Sequence, residues 1–421
     1  MSSSVVRMDD SPSRPRRRQG PLVLGRQASF WVSAGVVAHT LWTSAAPAMT
    51  YRLYAEEWHL THTVTTGIFA IYPIVVVTIL IIFGDISDQI GRRTTMLLGL
   101  GASLIGAFLF AVAPNVLWLF AGRAIMGVGV GLTAGPSTAA MVEFSAEGQA
   151  NRAVSITAAA QAFGFAAALL LGGALTQYAP WPTHLSFWVL FTLIALLFTA
   201  TWFLPRHAGG QAASRWRPKV PSLPPGLRPA VTLASIAVTT AYTHGVLILS
   251  LGGQVARDLV GSPNALINGT ALSLFAITSG VLAIVARGLG PRPAMMLGAM
   301  ASAVGMGLLA LSVAWHELGI FLAATAMSGV GYSLLFLGGM ALINGTVATE
   351  RRGGVLSAVY LLAYLSLGIV ALLLGAVATQ QGLALAVDLG AGVIVLLSLA
   401  TIRLLTTQPR RHCPVTPCLP V

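Results

Sequence analysis

The sequence predicts an all-α membrane protein with twelve transmembrane helices in two pseudo-symmetric six-helix bundles. Three observations predict this fold class. Of the 421 residues, 56% are hydrophobic and only 9% are charged, whereas soluble domains carry about 25% charged residues. Apolar runs long enough to cross a bilayer recur along the chain, and the two halves resemble each other. A soluble enzyme, a secreted scaffold and a disordered chain are therefore excluded.

The chain divides into two apolar halves and three polar segments. We interpret residues 1–27 as a cytoplasmic basic tail, because they lack the apolar region of a signal peptide. A six-helix bundle is predicted over 28–205, a cytoplasmic linker over 206–228, a second bundle over 229–406 and a cytoplasmic tail over 407–421. The predicted spans are 28–50, 64–84, 95–113, 116–142, 152–177, 183–205, 229–252, 265–286, 292–313, 317–343, 354–379 and 383–406.

Basic residues predict how these spans are oriented. With the N-terminus inside, the cytoplasmic segments hold 21 of the 24 Lys and Arg residues, and the outer loops hold only Arg52 and Arg257. Because basic loops stay on the cytoplasmic side, we expect both termini in the cytoplasm and the chain in the cell's inner membrane. The net charge of +12 thus orients spans in the lipid bilayer, and no nucleic-acid partner is expected.

Repeated features in chain order support two related halves. His39 and Arg52 in the first span are matched by His244 and Arg257 in the seventh, at the same spacing. Two other pairs of segments match: Gly91-Arg92-Arg93 with Gly290-Pro291-Arg292, and Gly127-Val128-Gly129 with Gly329-Val330-Gly331. A parallel repeat of six spans is the layout of a transporter whose halves rock about a site at the midplane.

A charged motif joins the second and third spans, Gly84-Asp85-Ile86-Ser87-Asp88-Gln89-Ile90-Gly91-Arg92-Arg93. It resembles the G-x-x-x-D-R-x-G-R-[RK] signature of the major facilitator superfamily, with Gln89 in place of Arg. A carboxylate at a helix end can cap a neighbouring helix and pair with arginine. We therefore predict a conformational latch whose bonds form in one packing of the halves and break in the other; its residues are Gly84, Asp88, Gly91, Arg92 and Arg93.

The resemblance extends from about residue 28 over the rest of the chain. Span four carries Arg123-Ala124-Ile125-Met126-Gly127-Val128-Gly129, similar to the family's R-x-x-x-G-x-G, and the next loop holds Glu143, Glu147 and Arg152. The resemblance implies alternating access around a central cavity and a small-molecule substrate. In span five, however, Ala168 and Leu169 stand where members resembling drug antiporters have Gly-Pro.

Span four also predicts close helix packing. Gly127, Gly131 and Gly135 recur every four residues, a spacing that lets helices approach closely. Arg123 lies one turn earlier, and a guanidinium at that depth needs a polar cavity or a partner. We predict that Arg123 faces the substrate cavity; the alternative is that it reaches the outer interface.

The substrate and coupling cavity is predicted from His39, Arg123, His244 and Gln161. Imidazoles exchange protons near neutral pH, and both histidines fall near the middle of spans that line the cavity in this family. No Asp or Glu lies in the middle of a cavity-lining span, so a neutral or anionic organic solute fits better than a lipophilic cation. Tyr242, Tyr332 and Tyr360 can add neutral polar contacts.

These observations predict a secondary active transporter, coupled to protons, with export slightly favoured over proton-coupled uptake of an organic acid. A membrane enzyme is a distant alternative, because clustered His, Asp or Ser at an interface is missing, as are hydrolase and phosphate-binding motifs. No cofactor or metal site is predicted, and Cys413 and Cys418 are interpreted as a solvated tail. We expect a monomer.

Overall fold

The computed structural model describes residues 23–84, 86–146, 149–205, 227–347 and 349–407. Within them all regular structure is helical, and twelve helices are long. These are α1 (Arg26–Ala45), α2 (His62–Phe83), α3 (Arg92–Ala111), α4 (Val116–Phe144), α5 (Ala150–Tyr178), α6 (Pro182–Trp202), α7 (Arg228–Gly245), α8 (Ala265–Val285), α9 (Pro291–Trp315), α10 (Leu318–Thr346), α11 (Thr349–Gln381) and α12 (Leu383–Thr407). The residues outside the described ranges include most of the two predicted tails and nearly all of the linker. They also include Asp85, Glu147, Cys413 and Cys418.

Eleven helices in the described part of the chain are long and apolar enough to cross a membrane. The one long helix that falls short is α1, which is rich in hydroxyl groups. Its polar residues Ser33, His39 and Thr43 are buried, whereas Trp31 is exposed, so the polar side of α1 faces the protein. The all-α membrane fold is therefore confirmed, and the count of twelve spans stays a prediction.

The contacts between helices repeat with a shift of six. In the first half α1 packs on α4, α5 and α6, and in the second half α7 packs on α10, α11 and α12. Likewise α3 packs on α4 and α6, as α9 packs on α10 and α12. The halves meet where α2 lies along α11 and where α5 lies along α8, so the interface itself obeys the same two-fold relation.

The helices α1 and α7 are both irregular towards the side predicted to face outward. After Ala45 the chain forms a 3₁₀ turn, Ala46–Met49, and a short helix, Tyr51–Glu57. After Gly245 it continues through two π-helical segments, Val246–Leu251 and Val255–Leu259. Interruptions of this kind often mark positions where a helix bends in function.

Two of the three predicted packing glycines lie against α2. A Cβ built on Gly127 would come within 3.0 Å of the Tyr72 carbonyl oxygen, and one on Gly131 within 2.7 Å of the Ile79 Cβ. At Gly135 a Cβ would meet no atom within 4 Å. The packing expectation was therefore wrong for Gly135, because α4 has diverged from α2 by that turn.

Candidate functional site

Polar contacts join the two halves at the end predicted to face outward. The Thr63 backbone N–H donates to the Thr379 hydroxyl at 2.9 Å, which ties the start of α2 to the end of α11. On the other side of the interface, the Ala265 N–H donates to Gln177 Oε1 at 2.7 Å. His62 Nδ1 also lies 2.8 Å from Gln254 Oε1. These contacts, made at both α2–α11 and α5–α8, close the interface on this side.

The two predicted histidines lie at one level of the interface without touching. Both are fully buried. The helices α1 and α5 are in close contact beside His39. If Gly164 of α5 carried a Cβ, that atom would lie only 2.0 Å from the carbonyl oxygen of Ala38. The neighbouring Phe165 ring lies 5.9 Å from Phe275 of α8, and Phe275 lies 6.4 Å from the His244 ring. The Phe165–Phe275 pair thus lies at the contact of α5 with α8, beside His244.

The imidazoles differ in their hydrogen bonds. His244 Nδ1 lies 2.9 Å from the Thr240 carbonyl oxygen, and its Nε2 has no partner among the described residues. In His39 neither ring nitrogen makes a hydrogen bond of normal geometry within the described residues. Buried polar atoms without partners are costly, so both rings retain nitrogens that can bind a proton or a substrate group. Gln161, one turn before Gly164, is half-buried at the same level of α5.

Arg123 binds the broken end of α1. Its Nη1 donates to the Thr43 carbonyl at 3.0 Å and its Nη2 to the Ser44 carbonyl at 2.8 Å, and the guanidinium stacks 4.3 Å from the Tyr72 ring centre. In a regular helix the Thr43 carbonyl would accept from the N–H four residues later, but that residue is Pro47, which has none. The sequence led us to expect Arg123 to face the substrate cavity; in the structure this fully buried arginine has two backbone acceptors on α1.

An aromatic cluster, which the sequence interpretation recognised only in part, lines the second half. The rings of Tyr242 and Tyr364 are T-shaped with centres 4.8 Å apart, and Tyr332 stacks parallel to Phe336 at 6.2 Å. Tyr360 lies 6.5 Å from Tyr242. All five side chains are half-buried, on α7, α10 and α11. Tyr364 and Phe336 were missed, although each follows a predicted tyrosine by one helical turn.

The predicted latch residues form a network inside the first half. Arg92 Nη1 lies 3.6 Å from Asp88 Oδ1, and its Nε forms an ion pair with Glu143 at the end of α4. Arg93 donates to the Leu204 carbonyl at 3.2 Å. In this conformation the partners of Arg92 in the described part of the chain belong to the first half, so a latch that forms in one packing of the halves and breaks in the other stays a prediction. Gly84 ends α2.

Gly91 is the latch residue whose identity the backbone requires. It precedes α3 with φ 88° and ψ 147°, a region that is essentially restricted to glycine. Its counterpart in the second half, Gly290, has φ −61°. The signature glycine therefore sets the direction in which α3 leaves the loop.

The comparison with known families agrees with this architecture. The model of the Major Facilitator Superfamily matches residues 31–253, more than half of the chain. The chain belongs to this superfamily. The relatives below are named as transporters or resistance proteins, and the spanning helices make this chain a multi-pass membrane protein of the superfamily.

Curated relatives and solved structures add detail. The chain is 29% identical over 157 residues to the multidrug efflux pump LfrA of Mycolicibacterium smegmatis, covering 36% of this chain and 31% of the pump. It is 27% identical over 185 residues to the puromycin resistance protein pur8 of Streptomyces alboniger, covering 44% and 35%. The matched part thus spans about a third of each relative. The fold resembles the crystal structure of the nucleoside transporter NupG with a TM-score of 0.71 at 15% identity, over 91% of this chain and 99% of that one.

Proposed function

We propose that this superfamily member exports a small organic solute by alternating access, driven by protons moving in the opposite direction. Support for export comes from relatives named as a multidrug efflux pump and a puromycin resistance protein. We place the chain in the inner membrane as a monomer with both termini in the cytoplasm, on the strength of its basic loops. The two bundles are proposed at 28–205 and 229–406.

The observation that carries the proton coupling is the position of His39 and His244. Apart from Arg123, no other His, Asp, Glu, Lys or Arg lies in the middle of a described helix that lines the interface. Both imidazoles are buried at the level where α5 and α8 cross, and both have a nitrogen without a partner in the described residues. A group that exchanges protons near neutral pH at this depth can be exposed to one side and then the other as the halves rock.

The aromatic cluster supports a substrate with a planar aromatic part. Tyrosine rings offer flat apolar faces together with hydroxyl groups, and the five rings in this half are only partly buried. Because the spanning segments lack a central carboxylate, we propose a neutral or anionic solute. Arg123 is proposed to act on this site through α1, whose broken end it holds.

The direction and the substrate class can be tested in membrane vesicles. Fluorescein, riboflavin and ethidium serve as anionic, neutral and cationic planar probes. We expect everted vesicles with an acid interior to accumulate fluorescein or riboflavin, and to lose this accumulation when an ionophore collapses the pH gradient. Accumulation only in right-side-out vesicles with an acid exterior would instead support uptake of an organic acid. Accumulation independent of the gradient would contradict proton coupling.

The histidines are tested by His39→Gln and His244→Gln, with His316→Gln as the matched control. His316 lies at the predicted outer end of α9 and is exposed. If the buried imidazoles carry the proton, each of their variants flattens the pH dependence of transport, whereas the control keeps the parent profile. Parent-like profiles in both buried variants would assign these histidines to packing.

A further inference from the structure

A cavity lies at the predicted outer end of the interface, and none of the aromatic-cluster residues lines it. It has a volume of about 230 Å³ and is lined by residues of both halves, from the extension of α1, the end of α5, the end of α7 and the start of α8. Drug-sized pockets measure about 300–1,000 Å³, so this cavity suits a smaller ligand.

The lining of this outer cavity is cationic. It includes Arg52 and Arg257, the two arginines related by the sequence repeat, and no acidic residue. Arg52 pairs with Glu56 and, at 3.7 Å, with Asp258 across the interface, but these carboxylates are 55% and 45% exposed and lie outside the lining. Arg257 donates to the Pro263 carbonyl at 3.3 Å, which leaves most of its N–H groups to bind a ligand.

Neutral polar groups complete the cavity. Asn268 is only 3% exposed; its amide nitrogen donates to the Ser262 carbonyl at 3.1 Å, and its Oδ1 is buried with no partner in the described residues. The hydroxyl oxygen of Thr176 is also buried and has no hydrogen-bond partner among the described residues. Gln177 uses its Oε1 for the Ala265 N–H, so its NH₂ group can still donate. Buried acceptors of this kind call for a donor on the ligand.

We propose that this outer cavity binds a small organic carboxylate that also carries a hydroxyl or amine group. The carboxylate lies between Arg52 and Arg257, whose planar forks match its geometry. The hydroxyl or amine group donates to Asn268 and Thr176. Because each half contributes one arginine while the interface is closed, a bound carboxylate stabilises the conformation that is closed on this side.

The test is equilibrium binding of 4-hydroxybenzoate to the full-length protein in lipid nanodiscs, measured by calorimetry without a pH gradient or transport substrate. The uncharged 4-hydroxybenzamide serves as the shape control. We expect saturable binding of the carboxylate only, and a dissociation constant at least about tenfold weaker in Arg257→Gln. Arg257 is exposed, so this variant should fold, which its melting temperature verifies. Arg403→Gln, at the far end of α12, is the matched control and keeps the parent affinity.

A second variant tests the buried acceptor. Asn268→Leu should abolish the preference for 4-hydroxybenzoate over plain benzoate, because the unpartnered oxygen that favours the hydroxyl is gone. The proposal is overturned if Arg257→Gln binds 4-hydroxybenzoate as the parent does, or if the benzamide binds equally well. Since binding is measured without transport, failure of the export proposal would leave this result unaffected, and the reverse also holds.

Discussion

The glycine face of α4 allows a quantitative prediction, because two of its positions differ only in what they face. Gly131 is buried against α2, where an added Cβ would lie 2.7 Å from both Cβ and Cγ2 of Ile79. The Cβ of Ile79 is bonded to the backbone, so a change of side-chain rotamer does not move it away from the added methyl group. The helices α4 and α2 must therefore move apart. Gly135, one turn further on, would meet no atom within 4 Å. Comparing the same substitution at Gly131 and at Gly135 therefore separates the cost of packing against α2 from the change in helix propensity that accompanies any replacement of glycine.

The expected magnitudes follow from two opposing effects. Replacing a helical glycine by alanine gains up to about 1 kcal/mol from helix propensity, and this gain applies to both positions. Overpacking costs about 1–3 kcal/mol, and only Gly131→Ala incurs it. Gly135→Ala should therefore be neutral or slightly stabilised, and Gly131→Ala should be less stable than Gly135→Ala by about 1–3 kcal/mol. The corresponding leucine variants should differ by more.

The assay is thermal unfolding of the purified variants in one detergent, followed by tryptophan fluorescence at a fixed scan rate, since unfolding of large proteins is often irreversible. For domains of moderate size each kcal/mol shifts the midpoint by about 2–4 °C. We expect the Gly131 variants to unfold several degrees below their Gly135 counterparts. Equal midpoints for the two alanine variants would refute the assignment of Gly131 to the α4–α2 contact.

Three further substitutions have definite expected outcomes. If the predicted latch operates, Asp88→Asn abolishes most transport of the probe dyes into vesicles, because it removes the negative partner of Arg92. Its abundance on immunoblots should stay near the parent's, because the carboxylate is 66% exposed and such pairs add little stability. Arg123→Met should lower the melting temperature strongly. The loss should be smaller in a Pro47→Ala background, where the new backbone N–H of residue 47 can donate to the Thr43 carbonyl in place of Arg123. Equal losses in the two backgrounds would argue that Arg123 does not compensate for Pro47. Gly91→Ala should cost about 1–3 kcal/mol of stability, whereas Gly290→Ala, at an ordinary φ, should be tolerated in the same melting assay.

The fold could be predicted because it depends on patterns that a bilayer imposes on sequence. Apolar runs of spanning length and polar breaks located the helices. The structure places most of them within a few residues of those bounds, whereas α1 and α7 end earlier than predicted and continue as 3₁₀ and π-helical segments. The helix α1 shows where this logic weakens. Its hydroxyl groups and His39 lower its hydropathy, yet they are buried against other helices, so its composition reflects contact with protein more than contact with lipid.

Partners of single charges could not be predicted, because they depend on packing between distant segments. Arg92 forms an ion pair with Glu143 at the end of α4, a contact that the sequence did not predict. Arg123 was expected to face a ligand, but it donates to the Thr43 carbonyl left open by Pro47 and to the Ser44 carbonyl beside it. The proline was visible in the sequence, as was the rule that it removes a donor. What the sequence lacked was the information that α4 crosses α1 at that turn.

Residue spacing along a helix predicts depth in the membrane better than it predicts partners. In both repeats a histidine precedes an arginine by the same interval. A continuous α-helix would span close to 20 Å over that interval, at about 1.5 Å per residue, and the chain covers it through the 3₁₀ and π-helical segments that follow α1 and α7. If the arginines lie at the outer surface of a hydrocarbon core about 30 Å thick, the histidines lie near its middle, and both pairs border the interface because α1 and α7 are related by the two-fold axis. One duplicated segment thus supplies both proposed sites, the buried imidazoles for protons and the outer arginines for a carboxylate. Because α1 and α7 lead directly into the segments that hold the two arginines, a movement of α1 against α7 changes both sites together.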